Sequence, residues 1–210
     1  MRKGLSLIEL IFTIVIIALV FTVVPKIILS INKSDRFSIR QDALFNGISM
    51  LHMISNLAWD ENDTNSSDIL HVSNLANHTL DCNDTSHYRV GGFLGSRTCE
   101  NNLSASAISN DGQSNYLDFD DIDDFDGADI NASYYALHVE VSYIDDNITY
   151  INNKASISLS SLPVSHTTNL KIVDLNITYE GKRGKKGRQI SQFSYVSSNI
   201  GKTVLNKRVW

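Results

Sequence analysis

Glu9 is a carboxylate inside an apolar run, residues 5–24, whose other polar members are Ser6, Thr13 and Thr22. Burying a charge in hydrocarbon is costly. An opposite charge from a neighbour offsets that cost, and a place near a helix N-terminus favours a negative group. A second constellation is acidic: Asp118, Asp120, Asp121, Asp123, Asp124, Asp126 and Asp129 crowd residues 118–129. Carboxylates so close repel unless a cation or water screens them. Calcium takes about six to eight oxygens, many from Asp, which makes Asp120, Asp121, Asp123, Asp124 and Asp126 candidate ligands. Gly127 permits a tight turn there. The spacing lacks the distal Glu of an EF-hand. The other reading is a solvated acidic loop with Ile122 and Phe125 tucked inward, and both stay open.

Other patterns carry weaker chemistry. Residues 181–188, Gly-Lys-Arg-Gly-Lys-Lys-Gly-Arg, are basic and lie between two strand candidates. They read as an exposed hairpin loop, or as a contact for DNA or another anionic surface; no helix follows, so they are not a P-loop. Asn62, Asn65, Asn83, Asn102, Asn131, Asn147 and Asn176 all sit in acidic-x-Asn-x-Ser/Thr. That extended form looks like the acceptor of bacterial N-linked glycosylation, with Asn62, Asn65 and Asn83 as the candidates; a merely polar composition is the alternative. Asn176 falls in a strand candidate and makes a poor acceptor. The six histidines show no metal-ligand spacing, and no nucleophile elbow occurs. No catalytic constellation emerges, so an enzyme is not expected, and no cofactor is required beyond the calcium considered above.

These residues must be positioned by elements that the bulk composition bounds. The chain has 210 residues, 42% hydrophobic, with a net charge of −5. One globular domain fits that length, and the acidity argues against a general nucleic-acid binder. The run 5–24 is long enough to cross a bilayer as a helix. Arg2 and Lys3 precede it and few basic residues follow closely, which keeps the leader cytoplasmic and exports the body. A secretory signal would have a shorter core and a small-residue cleavage site; Val-Val-Pro follows here instead. In an exported chain, Cys82 and Cys99 suggest one disulfide, worth about 3 kcal/mol in the chain-entropy view; two unpaired cysteines in a reducing compartment are the alternative.

The residues Lys3-Gly4-Leu5-Ser6-Leu7-Ile8-Glu9-Leu10-Ile11 resemble the leader and methylation motif of type IV pilins and type II secretion pseudopilins. The resemblance implies that a prepilin peptidase cuts after Gly4 and methylates the new amine of Leu5. The family usually has phenylalanine at that place, so Leu5 is a departure. Glu9 becomes the fifth residue of the processed chain. The new amine and Glu9 then lie at one end of a membrane helix, and the resemblance implies that Glu9 guides docking into a filament.

Pro25 follows the apolar run and is expected to kink the helix there. Beyond it, Phe37, Leu44, Ile48, Leu51, Ile54 and Ala58 recur at helical spacing. This predicts an amphipathic continuation ending near Trp59, its stripe packed on a sheet. Residues 60–68 read as a solvated loop. Alternation at Tyr135, Leu137, Val139, Val141 and Tyr143, and at Val173, Leu175, Ile177 and Tyr179, predicts two strands. Residues 190–196 make a third and residues 157–162 a weaker fourth. The expected fold is α+β: a long N-terminal helix on an antiparallel sheet, pilin-like. The expected organisation is a leader (1–4), a transmembrane helix (5–25), an amphipathic continuation (26–59) and a β-rich extracytoplasmic domain (60–210).

The acidic segment 120–127 and strands 135–143 and 171–179 are also similar to minor pilins of mannose-sensitive haemagglutinin-type pili. The resemblances together imply a minor pilin-like subunit, single-pass in the bacterial inner membrane with its C-terminal domain in the periplasm, or carried into an extracellular filament. The implied partners are other pilin or pseudopilin subunits, the prepilin peptidase and an inner-membrane assembly platform. A type II secretion pseudopilin shares every N-terminal feature. A membrane-anchored periplasmic protein that binds calcium or glycan is the reading from a different class.

Overall fold

The computed structural model describes residues 6–64, 69–73, 103–109, 111–113, 115–145, 148–151, 154–157, 162–180 and 187–200. Helix α1 covers Leu7–Ile54, 48 residues, and continues through Pro25. At about 1.5 Å per residue it is roughly 70 Å long. The Ser6 hydroxyl accepts from the Glu9 amide at 3.3 Å, the side-chain cap that an exposed first turn needs. In the apolar half, the Thr13 hydroxyl donates to the Leu10 carbonyl at 2.8 Å and Thr22 to that of Ala18 at 3.0 Å. Both polar side chains are thus satisfied within the helix, as they would have to be in a membrane span.

The chain divides into two compact units, Met1–Ala43 and Leu44–Trp210. The last turns of α1 therefore belong to the second unit. Its main sheet has four strands in the order β1-β2-β5-β6, with all neighbours antiparallel. They are β1 (Asp129–Asn131), β2 (Tyr135–Ile144), β5 (Leu170–Tyr179) and β6 (Gln189–Ser198), while β3 (Ile148–Ile151) and β4 (Lys154–Ile157) pair by themselves. The predicted strands at 135–143, 173–179 and 190–196 lie within β2, β5 and β6. Of the fourth candidate, 157–162, Ile157 is the last residue of β4, and residues 158–161 lie outside the described residues.

One face of the sheet is built by the alternation read from sequence. Leu137, Val139 and Val141 oppose Ile177, Leu175 and Val173 in register, and all six are buried. The end of the helix covers them with a stripe that shares Ile54 with the predicted one but not Phe37 or Ile48. Gly47, Met50 and Ile54 are buried, whereas Phe37 and Ile48 are 63% and 52% exposed. The reason is Gly47. A Cβ at that position would come 2.5 Å from Ile177 Cδ1 and 3.3 Å from Leu175 Cδ2, so the helix backbone lies directly against the sheet. A stripe drawn through the large side chains misses a contact made by the smallest one. Asn46 adds a polar tie, donating to the Tyr135 hydroxyl.

The helix also stops earlier than Trp59. Ser55 Oγ and Asn56 Nδ2 both donate to the His52 carbonyl, which closes the last turn. Ala58 then pairs as an isolated parallel bridge with Asp121. The Ala58 amide donates to the Asp120 carbonyl at 3.4 Å, and the Ile122 amide to the Ala58 carbonyl at 3.1 Å. The chain leaving the helix is therefore stitched to the acidic segment.

Candidate functional site

Glu9 occupies the first turn of α1, three residues after the Ser6 cap, where the unpaired amides of the helix terminus favour a negative group. Gly4 and Leu5 lie outside the described residues. So do Cys82, Cys99, Asn65 and Asn83, and residues 181–186 of the basic stretch. Asn62 is described: it is exposed in a short 3-10 turn (Glu61–Asp63), and its side-chain amide donates to the Ser104 carbonyl at 2.8 Å.

The acidic run folds into a second 3-10 turn (Asp123–Phe125) with Ile122 and Phe125 fully buried, followed by Gly127 at φ +73°. Its carboxylates turn toward protein donors rather than toward one point. Asp121 Oδ1 accepts from the Asp124 amide at 3.0 Å, and Asp124 Oδ2 from the Asp120 amide at 3.1 Å. Asp126 Oδ1 accepts from the Val141 amide at 3.0 Å. Asp120 and Asp126 are exposed, while Asp121, Asp123 and Asp124 are buried. No group of three or more His, Cys, Asp or Glu side chains converges to hold a metal ion among the described residues. Ile122 and Phe125 are tucked inward, but Asp121, Asp123 and Asp124 are buried with them, so the run is not the fully solvated loop of the second reading.

Three buried residues organise this region, and the sequence reading singled out only Asp123. Lys171 is fully buried. Its Nζ donates to Asp123 Oδ2 at 2.7 Å, to Asp60 Oδ2 at 3.2 Å and to the Trp59 carbonyl at 2.8 Å. The ammonium also lies 4.0 Å from the Trp59 ring centroid and 5.0 Å from that of Tyr143, close enough for cation–π attraction. Asp60 was expected in a solvated loop but is buried. Its Oδ1 accepts from the Asn62 amide at 3.2 Å, and its Oδ2 from the Ser106 amide at 2.9 Å. An internal cation draws this carboxylate inward, because a buried charge needs an opposite partner. A signal existed in the sequence: Lys171 is in phase with Val173, Leu175 and Ile177, opposite Tyr143. A lysine continuing an apolar alternation marks a charge inside the core.

Burial pushes the Asp123 carboxyl up to about 6 from the ordinary 3.8, with Lys171 opposing the rise. Burial pushes Asp121 up to about 7, helped by the nearby Asp123 charge and opposed by the hydrogen bond from the Asp124 backbone. Burial, then the charges of Asp123 and Asp60, raise the Tyr143 phenol well above its usual range. Its hydroxyl donates to the Ser106 carbonyl at 2.7 Å. The site thus holds one amine and several carboxyl groups in a dry pocket walled by two aromatic rings.

No protein-family model, no curated protein and no solved structure matches this chain.

Proposed function

We propose that this chain is a structural subunit of a type IV pilus-like filament, a minor pilin, held first in the inner membrane and then packed through α1 against other subunits. The supporting observation is the length and coverage of α1. A bilayer accounts for about 20 helical residues, yet α1 has 48. Its apolar N-terminal portion, from Leu7 to Ile31, is exposed throughout, and the hydrocarbon explains that. It does not explain Phe37, Phe45 and Ile48, which are 63%, 70% and 52% exposed well beyond any such span. Large apolar side chains repeated along one helix need a cover, and other helices of the same kind supply it by ridge-into-groove packing. A membrane-anchored binding domain that never polymerises leaves these three side chains in water.

Glu9 fits the same reading. In the membrane it is a costly isolated charge; beside the amine of a neighbouring processed subunit it is paired. The test is the N-terminal peptide of the chain from membranes of a producing host, measured by mass spectrometry with and without prepilin peptidase. A peptide starting at N-methylated Leu5, seen only with the peptidase, is expected. An intact Met1, or cleavage beyond Pro25, overturns the proposal.

A further inference from the structure

Lys171 is a primary amine sealed in the core against a carboxyl group, and that arrangement has chemistry beyond pairing. Its Nζ lies 2.7 Å from Asp123 Oδ2, hydrogen-bond contact between the two groups of an amide-forming pair. The Lys171 and Asp60 side chains are 0% exposed and that of Asp123 is 2% exposed. The rings of Trp59 and Tyr143 flank the amine, so bulk water has no path to it. Asp60, 3.2 Å from the same nitrogen, is a second carboxyl group placed to move protons. Two buried polar atoms here, Asp123 Oδ1 and Trp59 Nε1, find no hydrogen-bond partner among the described residues. A purely structural ion pair of this kind is expected to have its remaining lone pairs met.

We infer that Lys171 and Asp123 condense into an intramolecular amide bond, with Asp60 as the proton carrier. A proton first passes from the ammonium to the Asp123 carboxylate, leaving a neutral amine and a neutral acid. Nζ attacks Cγ of Asp123, and the Nζ–Cγ bond forms. Asp60 takes a proton from the attacking nitrogen and delivers it to the departing oxygen. The Cγ–Oδ bond breaks, and that oxygen leaves as water with two protons. Asp60 returns to its starting state, and no oxidant or other reactant is consumed. The raised pKa of Asp123 favours the neutral acid that the attack requires. Condensation replaces two charges held out of water by one neutral group, and a dry pocket opposes the reverse hydrolysis. The bond would join the 3-10 turn next to the helix exit to β5, residues 48 apart in sequence.

The test uses the full chain, extracted from membranes in detergent, reduced, denatured and digested before mass spectrometry. The expected result is a single species joining the peptide that carries Asp123 to the one that carries Lys171, lighter by one water than their sum, with no tryptic cleavage after Lys171. Separate peptides at their full masses from wild-type protein overturn the bond. The wild-type measurement decides this whether or not any variant folds. The Asp60→Asn variant, compared in protein that retains resistance to limited proteolysis, should leave the two peptides separate. Linkage there at the wild-type yield overturns the role of Asp60. The readout is independent of N-terminal processing, so it stands or falls separately from the filament proposal.

Discussion

Replacing Lys171 with methionine strands one specific charge. Asp60 keeps the Asn62 and Ser106 amides as donors, but among the described residues the only donor to the Asp123 carboxylate is Lys171, through Oδ2. Even beside that lysine the Asp123 carboxyl stands at about 6 against 3.8, which corresponds to about 3 kcal/mol against its charged form. Without the lysine it rises further, and breaking a buried pair typically costs about 3–5 kcal/mol. Lys171→Met/Asp123→Asn removes the stranded charge, so it should recover most of that loss relative to Lys171→Met alone. Both variants lack the amine, so any covalent link is absent from the comparison. In urea, at about 1–3 kcal/mol per molar, the midpoints should differ by ~2 M at pH 8, read by tryptophan fluorescence in detergent. The gap should close on acidification. A carboxyl whose folded pKa is raised is most stable below its unfolded pKa, near 4, and loses stability as pH rises through the folded value. Equal midpoints at pH 8, or a gap that does not change with pH, would refute the claim that Asp123 is held dry and dependent on Lys171.

Asp121 gives a second pH effect in the same direction. With its carboxyl raised to about 7, stability of the wild-type domain should fall between about pH 4 and 7, and Asp121→Asn should flatten that slope in a urea series. At Gly47, valine should destabilise by about 1–3 kcal/mol through overpacking against Ile177 and Leu175, measurable as a lower melting temperature. Phe45→Ser changes an exposed side chain, so domain stability should move by less than about 0.5 kcal/mol while incorporation into sheared filaments drops. Glu9→Ala should leave the chain in the membrane and cleaved, but absent from the filament fraction; normal incorporation would remove the docking role.

Elements with a clean period were legible from the sequence. Residues 135–143 alternate strictly, and β2 has the buried faces that alternation implies; the apolar run 5–24 gave the first half of α1. What the period concealed was small or charged. Gly47 carries no hydrophobic signal, yet its missing side chain sets which face of the helix meets the sheet, and the predicted stripe through Phe37 and Ile48 fell on solvent-facing positions. Asp60 sits in a segment whose composition, Asp-Glu-Asn-Asp-Thr, describes a wet loop. Only a lysine 111 residues away turns it inward. Local pattern cannot reveal a partner that topology delivers. A count of charges in the acidic run does not show its internal order, in which Asp121 and Asp124 accept from backbone amides of the same segment.

The polar ties of the domain reach across most of its length. The Leu70 amide donates to Asn199 Oδ1 at 3.1 Å, and Asn199 Nδ2 donates to the Leu70 carbonyl at 2.7 Å, across 129 residues. Contacts so distant in sequence make folding slow, since loop closure must precede any return from the contact. A growing chain therefore has its helix long before the strands that cover Gly47 and Met50 exist. Until Asn199 arrives, Leu70 lacks the side chain that meets both its amide and its carbonyl. The half-made chain is a long helix, apolar in its first half, trailing an unfolded polymer, and it is most exposed to proteases during that interval.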